Sequence, residues 1–443
     1  LHQLRVQVLN GSTEVSSGFV TVTGGKWTFV SDATTNTGGA TTLADGKYTI
    51  RAILTNLAGI EIASTVATQT LVIDNTGGTN PANAPNSTDG NTAAVLSFST
   101  VNDAANQSFD TGSSTSDYIT SDNTLIVQGA VTNFSSVGGG AGDKVCVQIV
   151  DSTNAIVAQQ FVTVDANGNW SFDNKANVLA DGQYTLKAVV VDAAGNPVNT
   201  VATQTLIIDT NKGGTDAGSN PANTPSTDGN TSATIAIAGI TTDSGFSNSD
   251  FITTDGTLVI NGTVGSFSNT GGSAGDKVRV QIVNSAGTVV AEKYVDPASN
   301  AWSFDNQANT LADGTYTLKA TIDDAAGNLV KAAADQTLVI NSATPSTTAA
   351  VTAVTDDVGV ITGTVASGGV TDDTSPAVSG TLSAALTSGQ TVRVYDGSTF
   401  LGLATDTGTT WTFADTRTLA HGATVTYSAR VADVAGNQSA AGT

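Results

Sequence analysis

The sequence predicts an all-β protein built as a tandem array of β-sandwich domains. An aromatic pair, Trp-x-Phe, followed by Leu-Ala-Asp-Gly or a close variant, occurs four times and includes every tryptophan of the chain. Apolar and polar residues alternate after each copy, as in Tyr316, Leu318 and Ala320, which is the period-2 pattern of a half-buried strand. Helical periodicity is nearly absent from this sequence, which is rich in Gly, Thr and Ser.

The repeated element is clearest where Trp302 is followed by Phe304. Two residues apart on a strand, both rings face the same side, and we expect them to pack in a core. The Ala-Asp-Gly that follows favours a turn, because Asp bonds to nearby backbone and Gly accepts a positive φ. Tyr316, directly after the turn, fits a tyrosine corner, in which the hydroxyl bonds back to the turn. A plain half-buried hairpin is the alternative. The other copies begin at Trp27, Trp170 and Trp411.

The length of 443 residues fits about four units of the ~100 residues typical of an immunoglobulin-like (Ig-like) domain. Missing strand patterns at the two ends predict incomplete terminal domains. Either the chain is an internal piece of a longer protein, or strands from neighbouring chains complete these domains. The predicted divisions are 1–75, an Ig-like domain without its first strands; 76–91, a Pro/Gly-rich linker; 92–210, an Ig-like domain; 211–230, a second linker; 231–342, an Ig-like domain; and 348–443, a divergent Ig-like domain without its last strand.

The charge of the chain restricts its partners. The formal net charge is −22 and the pI is about 4.1, so the surface repels nucleic acids and anionic membranes and attracts cations. Only Glu14, Glu61 and Glu292 are glutamates among the 38 acidic residues. The bias towards Asp suits turns, and Asp is also a preferred oxygen ligand of Ca²⁺.

Two sets of aspartates recur at equivalent positions of the repeats and are the candidate calcium ligands. One set follows the first strand of a unit, and the other lies in the loop Asp-x-Ala-Gly-Asn before the last strand. Clustered carboxylates repel one another unless a cation neutralises them, and Ca²⁺ takes 6 to 8 oxygens from such loops. We expect the two sets at opposite ends of a sandwich. Ordinary solvated turns are the alternative. The candidate ligands are Asp110, Asp117, Asp122, Asp192, Asp243, Asp250, Asp255, Asp324, Asp357, Asp373 and Asp433.

Catalytic motifs are scarce, and we expect no enzyme. The only histidines are His2 and His421, and neither lies near a Ser or Cys of the repeat. Cys146 is the only cysteine, so no disulfide forms within the chain. It takes the place that Arg279 has in the next repeat, and we expect an exposed thiol on the outward face of a strand. The sequence contains no apolar run of ~20 residues, so we predict no membrane-spanning helix in this segment.

The motifs Trp-Ser-Phe, Leu-Ala-Asp-Gly-x-Tyr-Thr-Leu, Asp-Ala-Ala-Gly-Asn and Thr-Leu-Val-Ile-Asp follow one another in this order. They resemble the bacterial Ig-like repeats of giant surface adhesins and biofilm-associated proteins. The fourth unit resembles a second subtype from the same proteins. The resemblance implies secretion to the cell surface, an extended stalk, and structural calcium that stiffens it. The long linkers depart from the tight joints of many relatives, which argues against ions that bridge consecutive domains.

The expected function is therefore an extracellular stalk at the cell surface that mediates attachment or biofilm cohesion. Its partners would be other cell-surface or matrix molecules, including further copies of itself. The alternative is a self-assembling surface-layer, sheath or filament subunit whose strands complete those of neighbouring chains. A carbohydrate-binding accessory module is a third class, but every tryptophan is assigned to a core, which leaves no exposed aromatic platform.

Overall fold

A computed structural model describes residues 2–30, 42–75, 91–102, 110–137, 140–199, 201–210, 230–269 and 275–442. The predicted linkers, 76–91 and 211–230, fall outside these ranges except for Asn91 and Asn230. The chain divides into two compact units. The first comprises Leu1–Asn211, Thr215–Thr227 and Ala325–Asn328, and the second comprises Lys212–Gly214, Asp228–Asp324 and Leu329–Thr443. Among the described residues, no helix is long and apolar enough to cross a membrane.

The first domain, within the first unit, is one antiparallel sheet in the order β2-β1-β3-β4. The turn before β3 forms a tyrosine corner, because the hydroxyl of Tyr48 donates to the carbonyl of Ala44 at 2.8 Å. Its elements are β1 (His2–Asn10), β2 (Thr13–Val20), β3 (Gly46–Asn56), a short 3₁₀ helix (Ala63–Thr65) and β4 (Ala67–Ile73).

Trp27 does not pack in a core, and for this copy the prediction was wrong. Residues 27–30 lie outside the strands, and Trp27 is 41% exposed. Elsewhere the aromatic strand belongs to a second sheet that faces the first. The described part of the first domain has a single sheet, so Trp27 has no opposing layer to pack against.

The second domain is a sandwich of two sheets, also within the first unit. One sheet has the order β10-β7-β5 and the other β6-β12-β11-β8-β9. The sequence predicted seven of its strands within a few residues; the short β6 was missed. The strands are β5 (Val95–Asn102), β6 (Ile119–Thr120), β7 (Ile126–Thr132), β8 (Lys144–Val150), β9 (Ile156–Val162), β10 (Asn169–Asp173), β11 (Gly182–Val191) and β12 (Ala202–Ile208).

The core of the second domain is built around Trp170, which lies on β10 opposite Gly129 of β7. A Cβ at Gly129 would lie 2.1 Å from the indole Cζ2, so only glycine leaves room for the ring. Phe98 meets the indole edge-on with ring centroids 5.5 Å apart. The predicted corner forms here too, with Tyr184 donating to the carbonyl of Ala180 at 2.9 Å.

The third domain, in the second unit, repeats this sandwich. Its sheets have the orders β13-β15-β18 and β14-β21-β19-β16-β17, and β20 pairs with β19. Trp302 covers Gly262 as Trp170 covers Gly129. Tyr316 donates to the carbonyl of Ala312 at 3.0 Å. The strands are β13 (Thr234–Ile240), β14 (Ile252–Thr253), β15 (Val259–Gly265), β16 (Lys277–Asn284), β17 (Val289–Val295), β18 (Ala301–Asp305), β19 (Gly314–Asp323), β20 (Leu329–Ala332) and β21 (Gln336–Ile340).

The fourth domain, also in the second unit, keeps the aromatic core, with Trp411 over Gly380. Its tyrosine differs, because the hydroxyl of Tyr427 donates to the carboxylate of Asp415 at 2.6 Å. The sheets are β23-β22-β24-β28-β27 and β26-β25-β29. The strands are β22 (Ala349–Asp356), β23 (Gly363–Val365), β24 (Ala377–Leu382), β25 (Thr391–Asp396), β26 (Thr399–Leu403), β27 (Thr405–Thr407), β28 (Thr410–Ala414) and β29 (Tyr427–Ala432).

Cys146 is buried, and the predicted exposed thiol was wrong. Cys146 does lie on the sheet position that Arg279 has in the third domain. Its cross-strand neighbours are Phe161 on β9 and Val189 on β11. These apolar side chains cover the small thiol, whereas a long guanidinium reaches past its neighbours to water. Burial raises the pKa of the Cys146 thiol.

Candidate metal centres and the acidic loops

The first acidic loop of the second domain contains a buried, partly unsatisfied carboxylate. Asp110 is buried, and its Oδ2 accepts the backbone N–H of Tyr118 at 2.8 Å. Among the residues that the structure describes, none donates a hydrogen bond to its Oδ1. Burial raises the pKa of Asp110 to about 7; the Tyr118 N–H opposes the shift and the charge of Asp117 adds to it. A buried oxygen with no donor, beside a second carboxylate, is where a cation would stabilise the fold.

The third domain repeats this arrangement. Asp243 accepts the N–H of Phe251 at 3.0 Å. Burial raises the pKa of Asp243, and the nearby charge of Asp250 adds to the effect. Phe251 has φ +61° and its counterpart Tyr118 has φ +62°, a conformation that bulky residues rarely adopt. The buried carboxylate holds this unfavourable backbone in place, which the sequence alone did not indicate.

The third aspartate of each predicted cluster has a local role instead. Asp122 accepts the N–H and hydroxyl of Thr124 at 2.7 and 2.8 Å. Asp255 accepts the same groups of Thr257 at 2.7 and 2.6 Å. Burial of Asp255 favours the neutral acid, but these bonds outweigh it and lower its pKa. Both residues therefore cap turns next to the paired carboxylates.

In the fourth domain one of the two predicted aspartates of the first set, Asp373, is buried and the other, Asp357, is not. Asp357 is exposed, while its neighbour Asp356 is buried and accepts the hydroxyl of Thr371 at 2.5 Å. Asp373 is buried, with Oδ1 accepting the N–H of Ser375 at 2.8 Å and Oδ2 without a partner. In an Asp-Asp pair the sequence does not indicate which side chain faces inwards.

The second acidic set organises its own loop. Asp192 accepts the N–H groups of Ala194 and Asn196 through Oδ1, at 2.8 and 2.9 Å. Asp433 accepts the N–H of Asn437 at 2.9 Å in the same way. Asp324, the equivalent residue of the third domain, is buried as well.

The two acidic sets lie at opposite ends of the second domain, as expected. The backbone N–H of Asp209, which follows β12, donates to the carbonyl of Thr120 in the first acidic loop at 2.9 Å. The Asp192 loop directly follows β11, beside the other end of β12. In the part of the chain that the structure describes, no three or more His, Cys, Asp or Glu side chains converge as a metal-binding group. The structure thus brings together pairs of carboxylates rather than the full predicted sets.

The asparagine that ends the second loop is a functional candidate that was missed. Asn196 donates through Nδ2 to Asp192 Oδ2 at 3.0 Å and to the backbone carbonyl of Asp74, in the first domain, also at 3.0 Å. The first two domains are therefore in contact, although a linker was predicted between them. The equivalent loop of the first domain has Ile60 in this place. An asparagine that is repeated in the later domains but replaced in the first was the sequence signal that could have identified this residue.

Comparisons with known proteins found several solved structures that are similar to this chain. Among solved structures, a tetra-tandem repeat from the extending region of a large adhesion protein aligns over 99% of this chain and 89% of its own at 17% identity, with a TM-score of 0.20. The BSP domain of a biofilm-associated protein aligns over 89% and 74% at 15% identity, with a TM-score of 0.18. α-2-Macroglobulin of E. coli aligns over 99% and 26% at 10% identity, with a TM-score of 0.21.

No curated protein matches the chain. The sequence model of the bacterial Ig-like domain matches residues 97–210 and 231–342, which is just over half of the 443 residues. These are the two segments with the most regular tryptophan-cored sandwiches. The family predicted from the repeated motifs is confirmed, and the chain belongs to the bacterial Ig-like domain family.

Proposed function

We propose that the chain is a load-bearing stalk segment of a bacterial surface protein, which mediates attachment or biofilm cohesion outside the cell. Membership in the bacterial Ig-like family supports this proposal, as does the repetition of one aromatic-cored sandwich. The repeats resemble those of adhesins and biofilm-associated proteins. Their work on this account is to span distance and bear tension, while binding to cell-surface or matrix molecules fixes the ends.

The observation that carries the proposal is that the second domain is held at both ends. At one end Asn196 donates to the carbonyl of Asp74. At the other, within the same unit, the carbonyl of Asp209 accepts the side chain of Asn328 at 2.9 Å. Between these ends, β12 pairs with β11 over seven residues, from Gly182↔Ile208 to Ala188↔Ala202. Tension applied at the two contacts would therefore run along a continuous hydrogen-bonded ladder.

Calcium is part of this proposal. The pairs Asp110–Asp117 and Asp243–Asp250 fit the ion, because each places an uncompensated buried oxygen beside a second carboxylate. Backbone carbonyls and hydroxyls of the same loops would supply the remaining ligands. Bound calcium would neutralise the paired charges and stiffen the loop that follows the first strand.

Chelation tests the calcium proposal. EGTA should lower the melting temperature of the native chain and increase its cleavage by protease, and Asp110→Asn should reduce the response to chelation. Asp296→Asn is the matched control, because this carboxylate is 66% exposed and pairs with Lys277 at 3.5 Å. Equal melting curves with and without EGTA would contradict the calcium proposal and leave the stalk proposal standing.

One observation favours the alternative of a self-assembling subunit. The loops on either side of β23 expose apolar side chains, and Val360 and Val370 are almost fully exposed. Val358 and Ile361 are exposed as well. Exposed apolar surface often marks contacts between proteins. Light scattering separates the two functions: polymers at low concentration favour the subunit, and a monomer at high concentration favours the stalk.

The stalk proposal is tested in cells that carry the protein. Deletion of residues 91–210 shortens the array by a whole domain while the surrounding repeats remain. Attachment or biofilm mass should fall while the amount of protein at the surface stays constant. Unchanged attachment at equal surface levels would contradict the proposed function.

A further inference from the structure

The loop Asp-x-Ala-Gly-Asn has a second contact surface besides its asparagine. In the second unit, Ser244 of the third domain donates to the carbonyl of Ala435 in the fourth-domain loop at 2.7 Å. The N–H of Phe246 donates to the carbonyl of Val434 at 3.4 Å. In the first unit, Thr111 donates to the carbonyl of Ala326 in the same manner. In both units a hydroxyl side chain thus donates to the carbonyl of the alanine that directly precedes the glycine of the loop.

Glycines make this approach possible. Gly245 has φ +100°, and a Cβ there would lie 1.9 Å from the carbonyl oxygen of Val434. Gly436 has φ +92°, and a Cβ there would lie 2.9 Å from Gly245 Cα. The contact is between backbones, so a side chain at either position has no room. In the first unit Gly112 meets Gly327 in the same way, with a Cβ at Gly327 lying 2.7 Å from Gly112 N.

The asparagine contact recurs with the same acceptor position. Asn437 donates through Nδ2 to Asp433 Oδ2 at 2.9 Å and to the carbonyl of Asn341 at 2.7 Å. Asn341 directly follows β21, as Asp74 follows β4 and Asp209 follows β12. The two amide hydrogens of the asparagine therefore fix the loop to its own aspartate and to the residue that follows the last strand of the preceding domain.

The second domain shows what the loop looks like without the second surface. The described part of the first domain has no counterpart of the Ser244–Gly245 loop. In the second-domain loop Ala194 is exposed, whereas its counterparts Ala326 and Ala435 are only 1% and 0% exposed. A Cβ at Gly195, with φ +96°, would have no atom within 4 Å. The loop conformation is retained, so the burial of the other copies comes from docking and not from the loop itself.

We propose that the Asp-x-Ala-Gly-Asn loop is a docking element that fixes one Ig-like domain on the end of the domain before it without a metal ion. The asparagine binds the carbonyl that follows the last strand, and the Ala-Gly face receives a Ser-Gly or Thr-Gly loop. Its direct contacts are hydrogen bonds and backbone packing, and in the second unit they include a hydrogen bond from Nδ2 of Asn341 to Oδ2 of Asp433 at 3.0 Å. The docking does not depend on attachment or on calcium in the loops of Asp110 and Asp243.

The test compares Gly436→Ala with Gly408→Ala in the full chain. Both glycines have positive φ in the fourth domain, but a Cβ at Gly408 (φ +70°) meets nothing within 4 Å. Hydrogen exchange is followed by mass spectrometry in the peptide that contains Phe246, whose N–H crosses the contact. Gly436→Ala should accelerate exchange at Phe246 at least about tenfold by opening the joint, and Gly408→Ala should leave it unchanged. The difference between the two variants should persist in EGTA.

Asn437→Ala is the second variant in case Gly436→Ala does not fold. It removes both side-chain donors while its backbone N–H still reaches Asp433, and it should also accelerate exchange at Phe246. Equal rates in the native chain and both joint variants would overturn the proposal. So would equal acceleration by Gly408→Ala, because the effect would then be general destabilisation. Loss of the difference between Gly436→Ala and Gly408→Ala in EGTA would overturn the proposal, because a metal ion would then hold the joint.

Discussion

Replacing Trp302 by alanine tests whether the repeated tryptophan forms the core of its domain. Trp302 is 3% exposed, and its ring lies against Gly262, where a Cβ would be 2.0 Å from the indole Cζ2. The glycine cannot fill the space that the ring leaves, so a cavity remains between the two sheets. Truncation of a buried Trp to Ala costs about 3–5 kcal/mol, and we expect a cost in this range for the third domain.

Hydrogen exchange in β16 and β19 is the suitable assay, since a chain of several domains does not unfold in one transition. The expected cost corresponds to exchange that is roughly 100-fold to several thousand-fold faster, because about 1.4 kcal/mol is a factor of ten. Trp27→Ala is the matched control. Its side chain is exposed and outside the strands, so it should cost less than about 0.5 kcal/mol. A cost below about 1 kcal/mol for Trp302→Ala, or equal costs for both, would refute this reasoning.

Three further predictions follow from single side chains. The folded-state pKa of Asp110, about 7, lies above its ordinary value of 3.8. Without calcium, the second domain should therefore lose stability as the pH rises from about 4 to 7, by at most about 4 kcal/mol. Denaturant titrations should show this fall in unfolding free energy with pH, and Asp110→Asn should reduce it. Tyr184→Phe removes the bond to the turn carbonyl and should cost about 1 kcal/mol, seen as faster exchange in β11; no change would mean that the corner adds nothing. Cys146 should react with a thiol reagent only as fast as its domain opens, and immediate labelling would contradict its burial.

Much of the fold could be predicted because each repeat carries its local rules in full. The alternation of apolar residues, the Ala-Asp-Gly turn and the following tyrosine placed the strands and the corners at Tyr184 and Tyr316. Trp27 shows the limit, since the same motif leaves its ring exposed when no second sheet faces it. Tyr427 binds the carboxylate of Asp415 because its turn is longer and Arg417 fixes that carboxylate nearby.

The acidic sites could be located by sequence but not resolved in detail. Recurrence of Asp110 and Asp243 singled out two loops in which the structure buries a carboxylate oxygen, and whether these loops bind calcium stays a prediction. Whether an aspartate faces inwards, as Asp356 does, or outwards, as Asp357 does, depends on packing that the sequence does not show. The role of Asn196 depends on a partner 122 residues earlier, and no local pattern reveals such a contact.

Stretching the intact chain by its two ends tests the load-bearing claim most directly. Single-molecule force measurements should show three separate unfolding events, one for each tryptophan-cored sandwich. Each should release roughly 30–40 nm, since ~100–120 residues extend at ~3.3–3.6 Å per residue. The single sheet of the first domain should extend at lower force. Extension without discrete events, or one event for the whole chain, would contradict an array of independently folded domains that bear tension.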